Sequence, residues 1–401
     1  MRQAWRWFGP NDPVTLDTVR QAGATDIVSA LHHMPPGEAW TLRDVERHRD
    51  LIEITPPGRS PLKWSVIESI PVADDIKRHG ARAKQSIATW IASLEAAAQA
   101  GLKIICYNFM PVVDWTRTDL DWPLPTGGTA LRFEQDAFAA FDLYVLKRPD
   151  AEASYDLEAR ERAKAVADAL DEAAVERLTR TIAAGLPGAT TDALSLDTFR
   201  DRLAAYRGID AERLRGHLIE FLEQVVPVAD KLGVKLTLHP DDPPRPLFGL
   251  PRIASTGEDY AALFSAVPSP ANGMCFCTGS LGVRADNDLP AMARRFASRI
   301  HFAHLRATRR EADGFSFYEA DHLEGDVDMV AVLDVLLRED RQRPESEKIP
   351  FRPDHGHRIL DDLASDRRIN PGYTAIGRLK GLAELRGVMK ALDHRHAGDA
   401  W

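Results

Sequence analysis

The sequence predicts an α/β chain closed into a single (β/α)8 TIM barrel over residues 1–401, with a helical insertion after the fourth strand. Three observations point there. Strand-like and helix-like segments alternate along the chain, and several strand-like runs are almost continuously apolar, as parallel strands buried on both faces are. No G-x-G-x-x-G or phosphate-binding loop follows any of them, which weakens the doubly wound sheet as the alternative.

The eight candidate strands, in order, are "QAWRWFG" (3–9), "DIVSALHH" (26–33), "KWSVIESI" (63–70), "KIICYNFM" (103–110), "KLTLHP" (235–240), "GMCFCTGS" (273–280), "IHFAHLRA" (300–307) and "IPFRPDHGH" (349–357). Helical spacing fills the gaps, as in "IATWIASLEAAAQAGLK" before the fourth and "LRGHLIEFLEQVVPVADKLGVK" before the fifth, each closed by a glycine placed as a C-cap. Residues 111–210 break the rhythm with "PVVDWTRTDLDWPLPTGG" and then charged helical text. Inserted in the fourth βα loop, this segment would lie on the catalytic face as a helical cap that excludes water, the alternative being a solvated extension. The terminal "HRHAGDAW" reads as a frayed end.

Composition narrows the function. Sixty acidic against fifty-one basic residues leave a net charge of -9. With no basic stripe interleaved with aromatics, nucleic acid is not an expected partner. No apolar run approaches the length of a membrane helix and no leader pattern opens the chain, so a cytoplasmic location is expected. Three cysteines, Cys106, Cys275 and Cys277, are too few and too odd for a disulfide framework. A homo-oligomer is compatible with the chain.

In a barrel of this kind the reactive groups gather at the C-terminal ends of strands. The fifth to eighth runs end in His239, Cys277, His304 and Asp354: two imidazoles, a thiolate and a carboxylate suited to a divalent metal. Period-two alternation puts Cys275 and Cys277 on one face, with Cys277 nearer the catalytic end; Cys275 and Cys106 read as small buried residues, and His301 faces away from His304. By the same rule Arg306 shares the face of His304. It could pair with a substrate carboxylate or serve a structural ion pair. Alternation also raises a difficulty at "FRPDHGHR" (351–358): if Asp354 points inward, His355 points outward unless the chain turns there.

From "WRWFGPNDPV" through "ALHH", "CYNFMPVVDWTRTDL", "HPDDPPRP", "CTGSLGVRADNDL", "HLRAT" and "RPDHGH" to "NPGYTAIGRLKGLAELRG", the chain resembles the mannonate dehydratases of uronate degradation. The resemblance implies a xylose-isomerase-like barrel that dehydrates D-mannonate to 2-keto-3-deoxy-D-gluconate. It also implies Mn²⁺ or Fe²⁺ held by His239, Cys277, His304 and Asp354, where the residues alone also allow zinc. Its acid and base groups fall on His355 and Tyr373. Such a reaction removes the weakly acidic proton on C2 and expels hydroxide from C3, so it needs charge stabilisation, a base and an acid. His355 is the base candidate and Tyr373 the acid candidate, with the exchanged assignment left open. The alternatives are another metal-dependent sugar or sugar-acid lyase or isomerase of this barrel class, a nuclease that would carry a basic face, and a sugar-acid sensor that would have lost a ligand or the acid–base pair.

Overall fold

The computed structural model describes residues 1–183, 195–365 and 369–398. Its strands are β1 (Arg2–Arg6), β2 (Asp26–Ser29), β3 (Lys63–Glu68), β4 (Ile104–Tyr107), β5 (Asp119–Pro123), β6 (Thr129–Phe133), β7 (Lys235–Leu238), β8 (Asn272–Cys277), β9 (Ile300–His304), β10 (Ala307–Arg310), β11 (Phe317–Ala320) and β12 (Pro350–Arg352). Eight of them close a parallel barrel in the order β1-β12-β9-β8-β7-β4-β3-β2. Each coincides with one of the eight predicted runs, β1 and β8 starting one residue earlier, at Arg2 and Asn272, and every run extends past the C-terminal end of its strand. The last run stops short for a definite reason: β12 ends at Arg352, and Pro353 has no N–H to continue the ladder.

Alternation sorts the strand residues. Ala4, Val28, Val66, Ile104, Cys106, Cys275 and Phe302 form a buried cluster inside the barrel. Their neighbours in sequence, such as Trp5, Ile27, Ile67, Ile105 and Phe276, pack outward against the helices. Cys275 and Cys106 are thus interior filling, as expected. Cys277 and His304 come two residues after Cys275 and Phe302 and are paired directly across β8 and β9. They take the same inward direction one layer higher, at the mouth.

The helices obey their end signals. Leu42–Glu53 opens with a reciprocal capping box between Thr41 and Asp44, and Ala211–Leu232 closes on Gly233 at φ 63, a left-handed position that glycine adopts without penalty. The C-terminal helix Ala375–Gly398 corrects the expectation of a frayed end. It runs through His394 and His396, and His396 Nε2 lies 2.5 Å from Asp334 Oδ1, a tether across to another helix. Residues 399–401 lie outside the described residues.

Residues 111–210 are not purely helical. Four α-helices, Gln135–Ala140, Leu157–Ala169, Glu172–Ala183 and Leu196–Ala204, accompany β5 and β6; positions 184–194 lie outside the described residues. The two strands join β10 and β11, which follow β9, in an antiparallel sheet ordered β10-β11-β6-β5. Two separate βα loops therefore build one structure at the mouth. Its apolar side, with Phe138, Phe141, Ile182 and Phe199, packs against Phe248 and Phe317.

Phe302 fills the barrel interior directly beneath His304, their rings 4.6 Å apart. Phe302→Ala should destabilise the fold by about 3–5 kcal/mol through lost burial and a residual cavity, read from the urea midpoint at unchanged m-value. A loss of under about 1 kcal/mol would mean that the interior layer is not close-packed.

Candidate active site

The mouth of the barrel is lined by charge. From β1 comes Arg6, from β3 Glu68, from β12 Arg352, from the loop after β7 Asp242, and from the segment after β9 Arg306 and Glu319; Arg117 reaches in from the insertion. All are buried. Arg352 grips Glu68 with two hydrogen bonds, Nη2 to Oε1 at 2.7 Å and Nε to Oε2 at 3.1 Å, and its Nη1 pairs with Asp354 Oδ1. Arg6 meets Glu68 at 2.5 Å. Arg306 holds Asp354 Oδ2 at 3.0 Å and Asp242 Oδ2 at 2.6 Å. Arg117 bridges Asp242 at 2.8 Å and Glu319 at 3.0 Å. Arginine suits these positions because its planar fork binds two carboxylates at once and stays charged when buried.

Three of the sequence-predicted ligands converge. One ligand atom each from His239, Cys277 and His304 lies within 4.8 Å of the others. His239 Nδ1 donates to the Pro240 carbonyl at 2.7 Å, which fixes the tautomer and leaves Nε2 with its lone pair facing His304 Nδ1 at 3.2 Å. His304 Nε2 is buried and loosely engaged, its nearest partner being Glu68 Oε2 at 3.5 Å. Burial, then the Arg352 charge, pulls the His304 imidazole down to about 3, and burial lowers His239, so both rings are neutral donors. Burial pushes the Cys277 thiol up, so metal capture there displaces a proton. Two neutral imidazoles and a sulfur whose ligand atoms lie within 4.8 Å of one another fit a divalent transition metal.

Asp354 stands at the edge of this group. Its Oδ2 is 3.8 Å from Cys277 Sγ, while Arg352 and Arg306 occupy both of its oxygens. Burial alone would raise its pKa, but Arg352, His355 and Arg306 together hold it well below the usual carboxylate range. The alternation difficulty is resolved by the backbone: Asp354 sits at φ 62, in the left-handed region, so the strand has ended and the chain turns. Aspartate tolerates that region better than most side chains. Asp354 and His355 consequently face the same site.

His355 Nδ1 donates to Glu319, 2.8 and 2.9 Å from its two oxygens, with Arg306 Nη1 3.1 Å from the same nitrogen. Burial opposes ionisation of Glu319, but His355, Arg306 and Arg117 outweigh it and bring it to about 2. A permanently ionised acceptor keeps the proton on Nδ1 and leaves Nε2 as the basic nitrogen, 3.8 Å from Asp354 Oδ1. Tyr373 packs edge-on against His355 at 5.0 Å and against Phe8 at 4.8 Å, its phenol pushed up to about 12 chiefly by burial. Gly372 precedes it at φ 80, and any Cβ there would overlap the His355 ring. Gly279 does the same service for Arg306, whose Nε and Cβ fill the space of the missing side chain.

Arg306 lies where the sequence reading put it, but among three carboxylates, Asp242, Asp354 and Glu319, rather than facing open space. Glu68 and Arg352 end β3 and β12, but the predicted runs continue to 70 and 357 and so leave both residues inside a strand rather than at its reactive end. Asp242, Arg117 and Glu319 carry no strand-end signal either, since they come from loops and from the second sheet.

Across residues 1–398 the chain matches the family model described as D-mannonate dehydratase (UxuA). It is 64% identical over 393 residues to a mannonate dehydratase from Brucella canis, covering 98% of each chain. To one from Chromohalobacter salexigens it is 57% identical over 394 residues, covering 98% of this chain and 99% of the relative. The crystal structure of mannonate dehydratase from Streptococcus suis superposes with a TM-score of 0.75 at 32% identity, over 99% of this chain and 95% of that one. A xylose-isomerase-like TIM barrel protein from Mycobacterium smegmatis, at TM-score 0.50 and 14% identity over 97% of each chain, shares the fold alone. The chain belongs to the D-mannonate dehydratase family.

Proposed function

We propose that the protein removes water from D-mannonate to give 2-keto-3-deoxy-D-gluconate in hexuronate catabolism. One observation carries the reading: in a chain of this family, the His239–Cys277–His304 group and the Glu319–His355 pair stand side by side at the mouth of the barrel. The metal would be Mn²⁺ or Fe²⁺, held by those three residues with Asp354 alongside, and when bound it supplies Lewis-acid stabilisation of negative charge on the sugar acid.

The side chains have separable tasks. His355 Nε2 takes the C2 proton, its ring oriented by Glu319 through Nδ1. Tyr373 keeps its proton at neutral pH, because its phenol is pushed up to about 12, and delivers that proton to the oxygen leaving C3. Arg306, wedged against Gly279 and already paired with Asp242, Asp354 and Glu319, is better placed to hold Asp354 and the Glu319–His355 pair in position than to meet the substrate carboxylate itself. Described residues of the 111–210 segment reach the mouth, with Trp115 6.0 Å from the His355 ring and Arg117 locked to Asp242 and Glu319. Its exclusion of water would strengthen every charge interaction beneath it.

The decisive assay is incubation of the metal-reconstituted protein with D-mannonate and detection of a 2-keto-3-deoxy acid; no product would sink the reading. Cys277→Ser should lose tightly held metal, because a neutral hydroxyl replaces a thiolate, whereas Cys275→Ser should keep it. Equal metal contents after dialysis would move the centre elsewhere. Asp354→Asn should weaken metal retention. His355→Asn should retain metal but slow turnover by about 10²- to 10⁴-fold, with hydrogen–deuterium exchange at C2 slowed alongside. Glu319→Gln, which leaves Nδ1 a neutral partner, should slow the same exchange less. If His355→Asn sheds metal as badly as Asp354→Asn, His355 is a ligand and not the base.

A further inference from the structure

The roles given to the four last barrel strands leave the opposite side of the mouth unexplained. There, beyond β2, sits His32. It joins a row of rings that begins inside the reacting site: Trp115 and His355 at 6.0 Å, His355 and Tyr373 at 5.0 Å, Tyr373 and Phe8 at 4.8 Å, Phe8 and His32 at 5.3 Å. His32 Nε2 is buried and makes no hydrogen bond. Three other buried histidines find partners: His48 meets Ser29 Oγ at 2.9 Å, His301 the Pro270 carbonyl at 3.0 Å and His322 the Pro353 carbonyl at 2.6 Å, whereas His396 Nδ1, far from the mouth, is unpartnered like His32 Nε2, so it is the place of His32 beside the site that distinguishes it. A buried polar nitrogen without a partner costs about 1–3 kcal/mol, so its position calls for a ligand that completes it.

We propose that His32 is a specificity-determining residue that hydrogen-bonds a hydroxyl on the distal carbons of the sugar acid. This rests on the dehydratase reading above and extends it. With His355 working at C2 and Tyr373 at C3, the direction from C2 to C3 is the direction from His355 to Tyr373. Beyond Tyr373 in that succession of contacts stand Phe8 and then His32, the polar group on that side for carbons past C3 to meet. The chemistry of the ring suits a hydroxyl rather than the carboxylate end. Burial, then the neighbouring Arg6 charge, keeps His32 neutral, and a neutral imidazole exchanges hydrogen bonds with an alcohol but brings no charge to an anion. The exchanged assignment, with Tyr373 at C2 and His355 at C3, would send the same carbons toward Trp115 instead.

The test compares two variants of the metal-reconstituted enzyme on two acids. His32→Leu keeps the packing against Phe8 without the nitrogen, and His32→Gln restores a polar group at similar reach. For His32→Leu the KM for D-mannonate should rise about tenfold with kcat within about twofold, the size of one lost neutral hydrogen bond. The inhibition constant of a four-carbon 2,3-dihydroxy acid, which lacks the distal carbons, should not change. His32→Gln should recover most of the KM. The thermal midpoint of free His32→Leu should hold or rise, since an unsatisfied buried nitrogen has been removed; a structural histidine would lower it. Parallel weakening of both acids, a fall in kcat at constant KM, or no effect with D-mannonate overturns the assignment of His32 alone. A wild-type protein that leaves D-mannonate unchanged overturns the dehydratase reading, and this assignment with it.

Discussion

Everything at the mouth of this barrel depends on how one buried carboxylate is shared. Asp354 is held from one side by Arg352 and from the other by Arg306, and each arginine passes on to a further acid, Glu68 or Asp242. Removing so many charges from water is costly, and their mutual attraction offsets that cost only where the geometry leaves few donors idle. The result is a chain of alternating charges across the mouth. A network of this kind is weak evidence for stability but strong evidence for fixed positions, because breaking any one member strands its partner as a buried, uncompensated charge.

Fixed positions are what the proposed chemistry requires. The neutral imidazoles of His239 and His304 lie within a network whose charges stabilise their neighbours, and desolvation rather than any single charge keeps them neutral. Glu319 belongs to the same network through Arg117 and Arg306, and through it the network sets the tautomer of His355. One set of ion pairs thus prepares the ligand group and the basic nitrogen together, so that neither has to reorganise when substrate arrives.

The second sheet explains how a loop insertion becomes part of a site. Arg117 precedes β5 and Glu319 lies on β11, two strands of one antiparallel sheet built from different βα loops. Backbone pairing of β6 with β11 brings the two loops together, and the Arg117–Glu319 ion pair at 3.0 Å sits over that junction. A strand-paired insertion holds its residues more tightly than a helical flap resting on the surface would, which favours positioning over gating for this segment.

The residue order by itself determined the barrel and the gathering of His239, Cys277 and His304, with Asp354 at their edge. Strand and helix periods are local properties, and in this architecture the C-terminal end of a parallel strand is always at the same face. It also ranked Cys277 above Cys275, which shares its face but lies two residues short of the catalytic end. Tertiary structure decided what depends on contacts between distant segments. Arg117, Asp242 and Glu319 acquire meaning only when two loops pair, and nothing in the local text of "DWTRTDL" or "SFYEAD" announces it. The inward turn of both Asp354 and His355 required a left-handed residue that alternation forbids and that surrounding contacts impose. Arg306, placed on the right face by its spacing, became one member of a shared network because burial leaves no charged group without partners.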